Sequence, residues 1–390
     1  MAINKINGIA YSGIAKISGK TTAQLTKFNG QTLSVSTPPP SGPSRVVACF
    51  DDAYIAWADI GDDTDADIWE ANIFKAGAVG DSWDMLDIAF GKNGSGDPFY
   101  VVVANSNNPE ILYDDDGDIT DGERWQEINL GSGGIVGNLR QRTVAWGNDV
   151  WVTAGKLTSS VQYIYRSTDG STWAAIDISG LTDIGTVYSE QIWALTSDGA
   201  GKWWFGIGGK LYYSSDDAAS WSLHTTFSGE KIWDLVYTND TLVALVQHGG
   251  NPHLRAAASS DTTDFSEKTQ LKDSNNATLN GNRCKRMAAG DGRVVAIDTG
   301  RTLAADVSGK TITIQGTRQT MPDEGNLNCI CTDGDGNWWT GSDGGTSGPD
   351  GGDICKSTDN GLSWTKVAEG IYSSGNRKVE GIAVDVLLPV

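Results

Sequence analysis

The densest run of carboxylates in the chain is Asp114-Asp115-Asp116-Gly117-Asp118-Ile119-Thr120-Asp121-Gly122-Glu123, six acids in ten residues. Hard oxygen donors on a glycine-containing loop suit Ca²⁺, and Asp114, Asp116, Asp118 and Asp121 are its candidate ligands. Glycine follows the third aspartate too early for the twelve-residue calcium loop, so the rival reading is a solvated acidic turn. Asp62, Asp63, Asp65 and Asp67 form a second, weaker cluster. Ca²⁺ is the one cofactor these residues suggest, and none is required.

Other chemistry finds little support. Glycoside hydrolysis needs two carboxylates facing a groove, and with 49 acidic residues some pair sits at a suitable distance in any fold. His224, His248 and His253 have no metal-ligand spacing. Ser308-Gly309-Lys310-Thr311 resembles the end of a phosphate loop but lacks its first glycine and falls in a hairpin pattern rather than between a strand and a helix. Five cysteines, an odd number in apolar surroundings, read as reduced core thiols. Cys329, Cys331 and Cys355 would make a three-thiol metal site, without a CxxC pair or a nearby histidine to support it. The reading is a non-enzymatic protein.

The elements that must position these residues are set by a repeat. A signature ending in tryptophan recurs as Tyr165 to Trp173, Tyr213 to Trp221 and Cys355 to Trp364, with weaker copies at Phe74 to Trp83, Tyr113 to Trp125, Ser259 to Phe265 and Ala304 to Ile312. The closing positions Trp83, Trp125, Trp173, Trp221, Phe265, Ile312 and Trp364 stand 42, 48, 48, 44, 47 and 52 residues apart, the length of a four-stranded propeller blade. Two runs rich in β-branched and aromatic residues precede each signature, as in Ile192 to Leu195 and Trp203 to Ile207, split by a glycine-containing turn. No helical period is sustained. The expected fold is all-β: a seven-bladed propeller of four-stranded antiparallel blades over 45–390, closed by the run Val379 to Leu388 and preceded by a short β-rich N-terminal arm.

Within the signature, an aspartate in a tight hairpin accepts backbone N–H bonds, a glycine takes positive φ, and the tryptophan fills the seam between twisted sheets. Ser167, Asp169 and Trp173; Ser214, Asp216 and Trp221; Asp261 and Phe265; and Ser357, Asp359, Gly361 and Trp364 are therefore expected to be structural, not catalytic. The form Ser357-Thr358-Asp359-Asn360-Gly361-Leu362-Ser363-Trp364 resembles the Asp-box, or BNR repeat, of sialidase-like propellers. The resemblance implies a fold and leaves activity open. Ala218 replaces the glycine in the fourth copy. The Arg-Ile-Pro motif of sialidases is missing, Arg45-Val46-Val47 being the nearest sequence.

Residues 1–36 differ in kind. Lys5, Lys16, Lys20 and Lys27 give this segment +4 with no acid, leaving −24 on the remainder against a formal −20 for the whole. It repeats every 11 residues as Lys5-Ile6-Asn7-Gly8, Lys16-Ile17-Ser18-Gly19 and Lys27-Phe28-Asn29-Gly30. Asn-Gly between apolar residues is a hairpin signal, and so small a unit cannot bury a core of its own. A stiff proline-rich spacer, 37–44, follows. Lys5, Ile6, Lys16, Ile17, Lys27 and Phe28 are the candidate docking residues, the apolar side chains giving contact area and the lysines steering toward an acidic surface.

This segment is similar to N-terminal arms on structural proteins of tailed-bacteriophage virions. The resemblance implies a virion component, tail-associated or decorating the head, present in several copies, docked on other virion proteins through the arm, with the propeller displayed for a host-surface glycan or for capping. Two other classes stand beside it: a phage depolymerase or sialidase-like glycosidase, and a cellular Asp-box assembly scaffold. The acidic balance, with a pI near 4.4, excludes a general nucleic-acid-binding role. Absence of an apolar N-terminal h-region or a run of transmembrane length leads to the expectation of a chain without signal peptide or membrane insertion, localised to the virion.

Overall fold

A computed structural model describes residues 45–51, 54–60, 84–105, 109–114, 125–130, 141–156, 162–184, 190–258, 262–280, 284–321, 325–343, 352–368 and 378–385, together with the backbone of Glu70–Ile73 and of six two-residue strands in the first 32 residues. The chain divides into two units, Met1–Pro43 and Ser44–Val390. No helix among the described residues is long and apolar enough to cross a membrane.

The larger unit is a seven-bladed β-propeller. Each blade is a four-stranded antiparallel meander. Blade four is typical: Ala194–Ser197, Trp203–Ile207, Lys210–Ser214 and Ser222–Thr226 follow one another from the axis outward. Between its first two strands the Asp198 carboxylate accepts the Ala200 and Lys202 amides, closing the turn that the sequence marks with glycines. The second strands are the most apolar, because both of their faces are covered by neighbouring blades; Trp203–Ile207 and Trp338–Ser342 are buried throughout. Apolar clusters fill the seams. Trp151, Trp203, Trp204, Trp338 and Trp339 are fully buried in them, and each indole of this kind removes on the order of 200 Å² from water, about 5 kcal/mol of transfer free energy.

Ring closure differs from the simple order of the repeat. Val379–Val384 is the innermost strand of blade one and pairs with Arg45–Phe50, which thereby becomes its second strand, followed by Tyr54–Asp59 and Glu70–Ile73. Joining the two ends of the propeller in one sheet leaves no blade to open at an edge. This displaces the first signature copy. The third and fourth strands of blade one are Tyr54–Asp59 and Glu70–Ile73, so Phe74 to Trp83 comes after the fourth strand and ahead of Asp84–Lys92, the innermost strand of blade two. Trp83 itself lies outside the described residues. In blade six a two-residue turn, Gly309-Lys310, replaces the signature, with Val307 opposite Ile312.

In the smaller unit, Lys5–Ile6 pairs with Ile9–Ala10, Lys16–Ile17 with Lys20–Thr21, and Lys27–Phe28 with Gln31–Thr32. The three hairpins keep the 11-residue period, and Asn7-Gly8, Ser18-Gly19 and Asn29-Gly30 are the residues between the paired strands.

Candidate functional site

The seven innermost strands surround a central channel with a cavity of about 650 Å³. Each of these strands pairs on one side only, so unpaired backbone edges face the axis. The two ends of the channel differ. At one lie the turns between first and second strands and the hairpins between third and fourth. At the other lie the blade-to-blade connections and the starts of the innermost strands.

The innermost strands of blades two and five share a device. Each carries a β-bulge, at Met85/Asp87 and at Ile232/Asp234. The bulge turns the aspartate so that it binds its own strand and the next blade at once. Asp87 accepts the Ile88 amide at 3.1 Å and the Val144 amide of blade three at 3.1 Å. Asp234 accepts the Leu235 amide at 2.9 Å and the Met287 amide of blade six at 2.8 Å. Burial pushes the Asp87 carboxyl up and Asp234 up to about 7, against the pull of Arg286 and of those amides. Burial likewise raises Glu380, on the innermost strand of blade one, to about 7.

Arg286 starts the innermost strand of blade six and is the only cationic side chain among the described residues lining the channel. Its Nη1 donates to the Trp193 carbonyl of blade four at 3.3 Å, so the side chain reaches past blade five. Its charge acts on Asp87, Asp234, Glu380 and Cys329, which belong to four different blades; the guanidinium sits near the axis. Around the same end, Arg142 and Arg286 lie over the Trp193 ring, 5.0 and 5.7 Å from its centroid, and Lys231 and Lys285 lie over Trp233 at 4.3 and 4.7 Å. Cations on indoles thus gather at one mouth of a protein whose formal charge is −20.

The signature residues lie at the opposite end, in hairpins away from the axis. In blade three Ser167 Oγ donates to Asp169 Oδ1 at 2.9 Å and accepts the Gly170 amide at 2.8 Å, while Asp169 accepts the Ser171 and Thr172 amides and Trp173 Nε1 donates to the Gly170 carbonyl. Ser357, Asp359, Gly361 and Trp364 repeat the arrangement in blade seven. In blade four Ser214 bonds Asp216 and the Ala218 amide, and Asp216 takes both the amide and the hydroxyl of Ser220. Desolvation opposes ionisation of Asp169 and Asp359, yet the amides and hydroxyls around them outweigh it and hold both carboxyls below the usual range. For Asp216 the Ser220 hydroxyl is the largest cause of a shift in the same direction. Gly170 and Gly361 have φ of 76° and 77°, and a β-carbon on either would stand 2.2 Å from Phe99 or 2.6 Å from Val295 of the preceding blade. Phe265 is buried against Phe227; Asp261 lies outside the described residues.

Asp114 is fully buried at the end of the third strand of blade two, opposite Trp125, whereas Asp116, Asp118 and Asp121 lie outside the described residues, as do Asp62, Asp63, Asp65 and Asp67. Among the described residues no three His, Cys, Asp or Glu side chains converge as metal ligands. Cys329 packs in the seam toward blade one and Cys355 in the seam toward blade six, so these thiols face apart. For Lys5, Ile6, Lys16, Ile17, Lys27 and Phe28 the structure gives backbone pairing only.

Sequence reasoning passed over Arg286, Asp87, Asp234 and Glu380. A usable signal was present: Met85-Leu86-Asp87-Ile88 and Ile232-Trp233-Asp234-Leu235 each set one aspartate in an apolar first strand, where a charge has no local reason to be.

No protein-family model matches the chain, and no curated protein matches it. Among solved structures it is similar to YCF48 from Cyanidioschyzon merolae, at 16% identity over 72% of this chain and 84% of that one, with a TM-score of 0.48. It is also similar to a chain of a nidogen/laminin complex, at 11% identity over 74% and 98% with a TM-score of 0.46. A Penicillium chrysogenum α-L-arabinanase complexed with arabinobiose matches at 13% identity over 67% and 89%, with a TM-score of 0.43. Likeness at this level carries no inference about ligand or activity.

Proposed function

We propose that the protein is a non-enzymatic binding propeller of a tailed-bacteriophage virion, held to the particle by its N-terminal arm and carrying Asp-box hairpins as structural clasps. The observation that carries the non-enzymatic reading is the state of the channel aspartates. Each oxygen of Asp87 and of Asp234 accepts a backbone amide, so both aspartates tie an innermost strand to the next blade, which supports a structural role for them. The hairpin aspartates are likewise consumed by their own turns.

The virion reading rests on the arm: a basic, 11-residue repeat of hairpins on an otherwise acidic chain, resembling arms of virion structural proteins. The partners are then other virion proteins through the arm and a host-surface ligand or capped neighbour through the propeller. Deletion of residues 1–36 is expected to abolish incorporation into particles while leaving the propeller's melting temperature unchanged. Particles that still carry the truncated protein would overturn the anchoring role. Release of reducing sugar from host glycans by purified protein would instead support a depolymerase.

A further inference from the structure

One buried carboxylate of this propeller is paired on more than one side. Glu230, whose side chain is 2% exposed, is held by Arg255 through two hydrogen bonds of 2.7 and 2.8 Å and by Lys268 at 3.2 Å. Arg293 pairs with Asp306 across one sheet and reaches the Asn360 carbonyl of blade seven.

Arg286 is treated differently. It is half-buried, near the axis, and donates a single hydrogen bond, to a carbonyl. Among the described residues no carboxylate stands within ion-pair distance of it. The two aspartates whose charge it feels most directly are committed to backbone amides and cannot turn toward it. A guanidinium carries five N–H donors in a planar fork, and the partner that matches this fork is a carboxylate, taken bidentately.

The surroundings narrow the source of that carboxylate. Among the described residues one cationic side chain and several acidic ones line the cavity, which suits a chain with one terminal negative charge better than a polyanion such as an acidic glycan. Glu380 lines the same cavity, makes no hydrogen bond to a described backbone amide, and complements a cationic group close to that terminus. The unpaired edges of seven innermost strands offer backbone donors and acceptors along the axis, the groups an extended polypeptide uses. We propose that the channel captures the C-terminal end of a partner polypeptide, its terminal carboxylate on Arg286 and a lysine or arginine just upstream facing the Glu380 carboxyl. This site goes beyond the virion reading and does not depend on it.

The test uses the full chain and a random-sequence decapeptide pool, captured on immobilised protein and read by mass spectrometry, in two forms, with free C-termini and with C-terminal amides. The expected result is enrichment from the free-acid pool only, with Lys or Arg over-represented in the last few positions. For a peptide enriched in that way, amidation or Arg286→Gln is expected to weaken binding about 10- to 100-fold, the range for a charge-assisted hydrogen-bond pair. Arg286→Lys, which keeps the charge and loses the fork, should remain weak. The amide arm needs no variant, so it decides the matter even where a substitution disturbs folding. Equal capture of both pools, or unchanged binding by a folded Arg286→Gln, would overturn the proposal. So would Arg286-dependent binding of a galacturonate trimer without any peptide enrichment, which would assign the site to an acidic sugar.

Discussion

The hairpin carboxylates and the channel carboxylates make nearly the same hydrogen bonds and answer to opposite forces. Asp169 and Asp359 accept two or more amides and a serine hydroxyl at the solvent edge, and their carboxyls are pulled down. Asp87, partly buried, and Asp234, buried, accept two amides each in the channel wall, and desolvation there pushes both up. Similar hydrogen bonding cannot account for the difference, so desolvation does. The hairpins fasten blades with charges that remain hydrated, whereas the channel keeps protonatable groups and one guanidinium around an open axis.

The largest effect that would break this comparison is on stability against pH. A carboxyl that holds its proton to about pH 7 when folded and releases it near 3.8 when unfolded binds the extra proton in the folded state between those values. Stability is then greatest on the acid side of that window and falls as pH rises through 7, by on the order of 4 kcal/mol at most for Asp234. Glu380 acts in the same direction. The hairpin aspartates work oppositely: their contribution is present above the unfolded value and is lost as pH falls through their lowered folded values. Urea unfolding is expected to show a maximum near pH 4 to 5 and a decline toward pH 8 that Asp234→Asn flattens. A wild-type profile that rises from pH 5 to pH 8 would show that the channel carboxyls are hydrated.

The next effect belongs to the hairpins. Gly170→Ala places a methyl 2.2 Å from Phe99 Cε1 on a backbone with φ of 76°, so strain and overpacking coincide. A loss of about 3 kcal/mol or more is expected in chemical denaturation. Asp359→Ala removes an acceptor of the Leu362 and Ser363 amides and the Ser357 and Ser363 hydroxyls, and should cost about 1 to 3 kcal/mol. Both variants should leave channel binding intact once folded, and Arg286→Gln should do the reverse. A hairpin variant that folds normally and loses ligand would erase the division between the two ends.

Much of the fold was legible because the period, the turn residues and the alternating apolar strands all agree. Trp125, Trp173, Trp221 and Trp364 stand at or just before the fourth strands of their blades. The first copy was misplaced for a topological reason: the innermost strand of blade one comes from the other end of the chain, so the local order of strands is shifted there by one. The channel was less legible, since its members are single residues in seven separate strands, and nothing local in Arg286 or Glu380 records that the ring brings them to one axis.

The smallest effect tests how far the hairpins are interchangeable. Ala218 stands where blades three and seven have glycine, at φ of 62°, fully buried with Val150 and Val152 in the same apolar cluster. A left-handed alanine costs roughly 1 kcal/mol, which Ala218→Gly would relieve. The same change exposes no new polar group but removes a buried methyl worth about 0.8 kcal/mol and adds roughly 0.5 kcal/mol or more of unfolded-chain entropy. The terms nearly cancel, so the variant should lie within about 1 kcal/mol of wild type in chemical denaturation, against the large loss expected for Gly170→Ala. A gain well above that would mean that the alanine is strain the seam tolerates. A loss well above it would mean that the methyl fills the place that Phe99 and Val295 take against the other two hairpins, and that the fourth hairpin is fitted to its neighbour rather than worn away from the repeat.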